Sequence, residues 1–119
     1  MVDAGEITNV LRTPTFSHPN TTVETNLVEH ALLTELIDHH FDFSNLTQLT
    51  TIRVFEKIDG SNYRQLSQKI FPTDYEINTK GVVVILDGSG QDMKITLQSA
   101  IAEGSAKEIK ASVRDEIRV

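Results

Sequence analysis

Cysteine and tryptophan are both missing from this 119-residue chain. Without cysteine there is no disulfide, no thiolate ligand for zinc or an iron–sulfur cluster and no thiol nucleophile, and the redox compartment is left open. Without Trp, and with only two Tyr, the aromatic platform on which sugar rings stack is thin. Bases are scarce in the first part: residues 1–49 hold seven acids and a single base, Arg12, whereas residues 50–119 hold ten of each sign. A net charge of −6 laid out in this way repels a phosphate backbone, and no cluster of Lys and Arg offsets it, so nucleic acid is not an expected partner. No apolar run approaches the ~18 residues that a membrane-spanning helix needs. The opening "MVDAGEITNV" lacks the basic region and apolar stretch of a secretory signal. The expectation is a soluble chain with no membrane partner and no visible address. Without a signal, the glycosylation-type triplets at Asn20 and Asn45 carry no weight.

What is present suffices for one domain. A 39% hydrophobic fraction can fill a core, and 24% charged residues is ordinary for a folded surface. "TTIRVFEKI" (50–58) is rich in β-branched and aromatic residues and reads as a strand. "DGSN" turns the chain into "YRQLSQKIF", which ends at Pro72. A two-residue loop at Gly60-Ser61 would set Ile58 opposite Tyr63, and a three-residue loop would set Glu56 opposite Arg64. The letters Asp-Gly-Ser recur at 87–89, between "GVVVIL" and "DMKITLQS". The first of these runs reads as a strand buried on both faces, and the second alternates Met93, Ile95 and Leu97 against Lys94, Thr96 and Gln98. Two hairpins are therefore expected, with Asp bonding its own turn and Gly in the left-handed position of each. "PTDYEINTKG" between them reads as a loop.

The remaining segments are less regular. Residues 22–36 and 106–119 fit helical and strand spacing alike, and the surrounding β pattern favours strands near 22–30 and over the tail. "LIDHHFDF" alternates Ile37, His39, Phe41 and Phe43 with Asp38, His40 and Asp42, a period of two that predicts a strand over about 34–43. Ser44–Gln48 reads as a turn or bend. Residues 1–20, with Pro14 and Pro19, read as an extended N-terminal arm ahead of a single domain over 21–119.

Chemistry could sit at few places. Asp38, His40 and Asp42 share one strand face at ~6.5–7 Å steps, a donor set that suits a divalent metal or acid–base work, although a solvated polar face looks the same. His39 points the other way, as a packed core or interface histidine. Asp and Ser oxygens of the Asp-Gly-Ser loops with Asp92 raise a calcium reading, but neither copy has the alternating acids, Gly and distant Glu of a calcium loop. No Gly-x-Ser-x-Gly elbow or phosphate-binding loop is present. Phe16, Tyr63, Phe71 and Tyr75 could stack a sugar and equally could serve in core or interface.

Residues 45–106 carry three motifs in order: a strand "LTQLTTIRV" at Leu46–Val54, a hairpin "KIDGSNYR" at Lys57–Arg64 and a late strand "KITLQS" at Lys94–Ser99. In this the chain resembles small, uncharacterised β-sandwich proteins found among phage-like and environmental viral structural genes. The resemblance covers about half of the chain. It implies a β-sandwich used as a virion, tail or assembly module, and it brings no catalytic residues, cofactor or ligand.

The combined expectation is an all-β, two-sheet antiparallel sandwich, jelly-roll-like, of about seven or eight strands. Its expected core includes Ile52, Val54, Leu66, Val82, Val84, Ile85, Met93, Ile95 and Leu97. The functional expectation is a non-enzymatic structural protein, without cofactor or catalytic residues, that self-associates through its arm and edge strands; other virion proteins or a glycan are the further candidate partners. A carbohydrate- or receptor-binding module is the alternative, and a metal-dependent hydrolase using Asp38, His40 and Asp42 a distant one.

Overall fold

The computed structural model describes residues 7–71, 81–88 and 90–118. They form nine strands: β1 (Ile7–Arg12), β2 (Thr15–His18), β3 (Thr25–Leu33), β4 (Leu36–Asp42), β5 (Thr50–Glu56), β6 (Arg64–Phe71), β7 (Gly81–Asp87), β8 (Gln91–Ser99) and β9 (Lys107–Arg118). No helix occurs among the described residues.

One sheet runs β1-β9-β4-β7, with β2 also on β9, and the other runs β3-β8-β5-β6, every pairing antiparallel. β1 and β2 lie end to end along one edge of the long β9. Arg12 pairs with Val113 and Thr15 with Lys110, and the break at Thr13-Pro14 is bridged by Ala111 N–H donating to the Pro14 carbonyl at 3.0 Å. Counted as one interrupted strand, they leave two four-stranded sheets with the interleaved connectivity of a jelly roll. Residues 7–12 and 15–18 of the segment read as an arm are thus paired into a sheet.

The core follows from the two-residue period. β4 buries Ile37, His39 and Phe41 and turns Asp38, His40 and Asp42 outward. Phe41 is flanked by stacked rings, His39 at 5.9 Å and Phe43 at 5.7 Å between centroids, and meets Phe16 of β2 edge-on at 6.1 Å. From the other sheet β5 contributes Ile52 and Val54, and β8 contributes Met93, Ile95 and Leu97. Removing such a side chain from water is worth ~1.5–3 kcal/mol, which is what selects this register over a one-residue slip that would turn each apolar set outward.

Several expectations need correction. The first Asp-Gly-Ser closes the β5–β6 hairpin, in the Glu56–Arg64 register and with a longer loop over 57–63. The second does not close a hairpin: β7 pairs with β4 and β8 with β3 and β5, so the two strands that flank it belong to different sheets. β7 is not buried on both faces, because it ends its sheet; Val83 and Ile85 are each 56% exposed, while Val84 and Leu86 face the core. Leu66, on edge strand β6, is 49% exposed. The side chain of Val82, Ser89 and the "PTDYEINTK" segment lie outside the described residues.

Candidate functional site

Asp38, His40 and Asp42 do share the outer face of β4, but β4 is an inner strand with neighbours on both sides. Register sets Asp38 opposite Arg114 and Asp42 opposite Lys110 on β9, while β7 sets Ile85 opposite Asp38 and Val83 opposite His40. Directly opposed residues share a face, so the two acids stand beside two bases across the ladder. Asp42 also accepts the Ser44 amide at 2.9 Å, and its bonds to the Ser44 side chain and amide hold its carboxyl below the usual range. Among the described residues no three His, Asp or Glu side chains converge as a metal cage would require.

Two acids of the calcium reading, Asp59 and Asp92, are occupied in the same way. Asp59 Oδ1 accepts the amides of Asn62 at 2.8 Å and Ser61 at 2.9 Å, and these bonds hold its carboxyl at about 2. Asp92 Oδ1 accepts the Leu32 amide at 2.9 Å, and its Oδ2 pairs with Lys57 Nζ at 3.1 Å. Leu32 sits in a bulge of β3 with φ +48° and 68% exposure, so Asp92 braces a backbone conformation that leucine seldom takes. Carboxylates with these partners have turn-stabilising work to do.

Sequence reasoning missed the buried polar groups. His18 Nε2 and Ser99 Oγ lie 2.6 Å apart, each residue 1% exposed, and tie β2 of one sheet to β8 of the other. Burial pushes the His18 imidazole below its ordinary 6.5, while the nearby Glu103 charge pulls it upward. Glu103, 8% exposed, accepts the Thr47 and Gln48 amides at 2.9 and 3.0 Å and the Thr47 hydroxyl at 2.6 Å, clasping the β4–β5 loop to the β8–β9 loop. A serine, a histidine and a glutamate come together here, yet the Ser99–His18 pair is sealed from solvent and the glutamate spends both oxygens on a loop. The cluster is a brace, without the exposed nucleophile of a hydrolase. His39 is the packed histidine the alternation predicts; its Nε2 meets His30 Nε2 of the opposite sheet at 3.4 Å.

Of the candidate sugar-stacking rings, Phe16 packs inside on Phe41, and Tyr63 lies under the Lys94 ammonium at 4.3 Å and the Lys57 ammonium at 5.1 Å. The Phe71 side chain and Tyr75 lie outside the described residues.

A different surface stands out. On one side the two sheets end in β6 and β7, and between these edge strands lies a groove of about 440 Å³. Its floor is core, Ile52, Val54 and Met93, and its rims carry Leu66 and Ser67 from β6 and Val83, Ile85 and Asp87 from β7. The cause is local. Ser67 and Lys69 pair with Val54 and Ile52, so β6 places polar residues on its inward face and does not seal the sandwich.

No protein-family model and no curated protein matches the chain in sequence. Among solved structures it is similar to a subunit of the Bacillus endospore appendages, described as a family of disulfide-linked pili, with a TM-score of 0.60 at 11% identity over 96% of this chain and 93% of that one. It is also similar to a chain of the acid-stable capsid of Helicobacter pylori bacteriophage KHP30, with a TM-score of 0.53 at 10% identity over 96% of this chain and 98% of that one. At these identities the likeness is one of fold, and it runs nearly end to end in both.

Proposed function

We propose that this protein is a non-enzymatic structural subunit that assembles with copies of itself, in a virion, tail or pilus-like particle. The observation that carries the reading is the unsealed β6–β7 side, where core residues and exposed Val83 and Ile85 meet at two unpaired sheet edges. A long, uncharged, apolar edge strand is a template for pairing with another chain, and soluble monomers ordinarily blunt it with charge, proline or a bulge. β7 has no charge from Gly81 to Leu86 and no register shift against β4. The near-complete fold likeness to a pilus subunit and a capsid chain supports the same reading. His18, Glu103, Asp59 and Asp92 support it in a second way, since their polar atoms are spent on bracing loops or joining sheets.

The appendage subunits are described as disulfide-linked. This chain has no cysteine, so its own contacts in such an assembly are made without disulfides, and the apolar edge is the surface suited to them. Light scattering over a range of concentration tests the proposal: oligomers that grow with concentration are expected, and a strict monomer at high concentration overturns it.

A further inference from the structure

Resting on the assembly reading, and deepening it to a specific contact, we infer that β7 pairs antiparallel with β7 of a second copy, across a two-fold axis that passes between the two Val84 residues.

Among the described strands, three of the lateral sheet edges are interrupted. β3 has two register shifts and the left-handed Leu32, the β1–β2 edge is broken at Pro14, and β6 has a register shift beside Leu66. β7 runs from Gly81 to Asp87 against β4 with none. A regular edge extends best onto another regular edge, and in an assembly of one chain that edge is the same strand of another copy.

Which residues of β7 can bond outward follows from how it bonds inward. Gly90 N–H donates to the Leu33 carbonyl at 2.7 Å and Gly88 N–H to the Glu35 carbonyl at 2.9 Å. The β4–β7 register continues this pairing through Ile37 with Leu86 and His39 with Val84. Bonded and non-bonded pairs alternate along an antiparallel ladder, so Leu86 and Val84 spend their backbone groups on β4. Gly81, Val83, Ile85 and Asp87 turn theirs to the free edge. Two antiparallel copies bond only where these residues face one another, which removes every second register. Centring on Val84 uses the whole strand: Val83 faces Ile85 of the partner copy, and Gly81 faces its Asp87.

The side chains favour the same register. Val83 and Ile85, each 56% exposed, become cross-strand neighbours at two symmetric contacts. Asp87 is the only charge of β7 and falls opposite Gly81, where no like charge opposes it. Centring on Ile85 would set each carboxylate against Val83, and centring on Val83 would leave Asp87 outside the pairing. The contact is isologous and closes as a dimer. It joins the two β7-containing sheets into one and brings the grooves that Val84 lines to face each other across the axis.

The chain has no cysteine, so an introduced thiol reports a single distance. Val84→Cys sets two thiols in a non-bonded pair with Cα atoms ~4.5 Å apart, within disulfide reach, and is expected to give a covalent dimer on mild oxidation. Val83→Cys and Ile85→Cys each meet their own copy only diagonally, at ~7–8 Å, beyond that reach. Each alone is expected to stay uncrosslinked on non-reducing electrophoresis, and the two are expected to crosslink when mixed. Both side chains are exposed, so the mixed pair decides the register even where Val84→Cys disturbs folding. Val83→Lys is expected to weaken dimerisation about tenfold or more in sedimentation equilibrium, with far-ultraviolet dichroism unchanged. Self-crosslinking of Val83→Cys or Ile85→Cys, no crosslink in the mixture, or an oligomer insensitive to Val83→Lys overturns the contact and leaves the assembly reading standing. A native chain that is monomeric at every concentration overturns both.

Discussion

His18 and Ser99 stand 81 residues apart in the chain and 2.6 Å apart in space, Nε2 against Oγ, each sealed from solvent. The bond crosses from one sheet to the other near the end where β2 leaves β9. A buried donor or acceptor that loses its partner keeps its full desolvation cost, so Ser99→Ala is expected to cost about 1–3 kcal/mol. His18→Ala, which also empties ring volume, is expected to cost about 2–4 kcal/mol. Urea denaturation at pH 7.5 measures both.

The same histidine sets a pH dependence. Burial lowers its pKa in the folded protein below 6.5, so between the unfolded and the folded value the unfolded chain binds more protons, and stability rises with pH. The contribution of neutral His18 is whole above about pH 6.5 and is lost as pH falls through the lower folded value. Denaturation midpoints taken from pH 7.5 to 4.5 should fall, and His18→Phe should flatten the part of the slope that begins near 6.5. An identical slope in the variant would show that other groups carry it.

The two Asp-Gly-Ser glycines are needed for different reasons. Gly60 has φ +78° in open surroundings, so Gly60→Ala meets only backbone strain, about 1 kcal/mol. Gly88 has no positive φ; an added Cβ would come within 2.5 Å of the Glu35 amide nitrogen and the Thr34 carbonyl carbon. That overlap is with backbone and cannot be relieved by a rotamer. Gly88→Ala is expected to cost roughly 2–3 kcal/mol or more, and thermal melts of the two variants should rank in that order.

Glu103 is the clasp between two loops. Glu103→Ala strips charge-assisted partners from two amides and a hydroxyl, with an expected loss of about 2–4 kcal/mol, and Glu103→Gln should retain part of it. Hydrogen exchange at Thr47 and Gln48 should accelerate in both variants, more strongly in the alanine.

Leu32 and Leu33 should respond in opposite directions. Leu32 is exposed and left-handed, so glycine there relieves strain and Leu32→Gly is expected to be neutral or stabilising by up to about 1 kcal/mol. Leu33, 6% exposed and part of the core, should lose about 2–4 kcal/mol as alanine. Chemical denaturation of the pair checks the contrast.

What the sequence made legible were strands whose two faces differ. β4, β5 and β8 alternate apolar with polar, and the structure places Phe41, Ile52 and Ile95 inside as that period requires. A uniform run has no such signal. "GVVVIL" looks the same whether both faces are covered or one faces solvent, so the edge position of β7 was invisible, and with it the exposed Val83 and Ile85. Turn letters carried local chemistry but not destination: Asp-Gly-Ser marks a reversal, yet whether the chain returns to the same sheet is decided by which strand waits beside it. His18 and Glu103 gave no local sign because their partners, Ser99 and Thr47, lie 81 and 56 residues away.

β9 lies between β1–β2 and β4, at the heart of its sheet, and Ile7 pairs with Arg118. The β5–β6 hairpin is the one local strand pair among the described residues. While a ribosome is still making this polypeptide, β1, β2 and β4 have no neighbour between them, so the first sheet cannot close until the last strand emerges. Such a topology folds late and slowly, by distant contacts, and a nascent chain halted before residue 107 would present bare strands to whatever chaperone or sister chain is nearby.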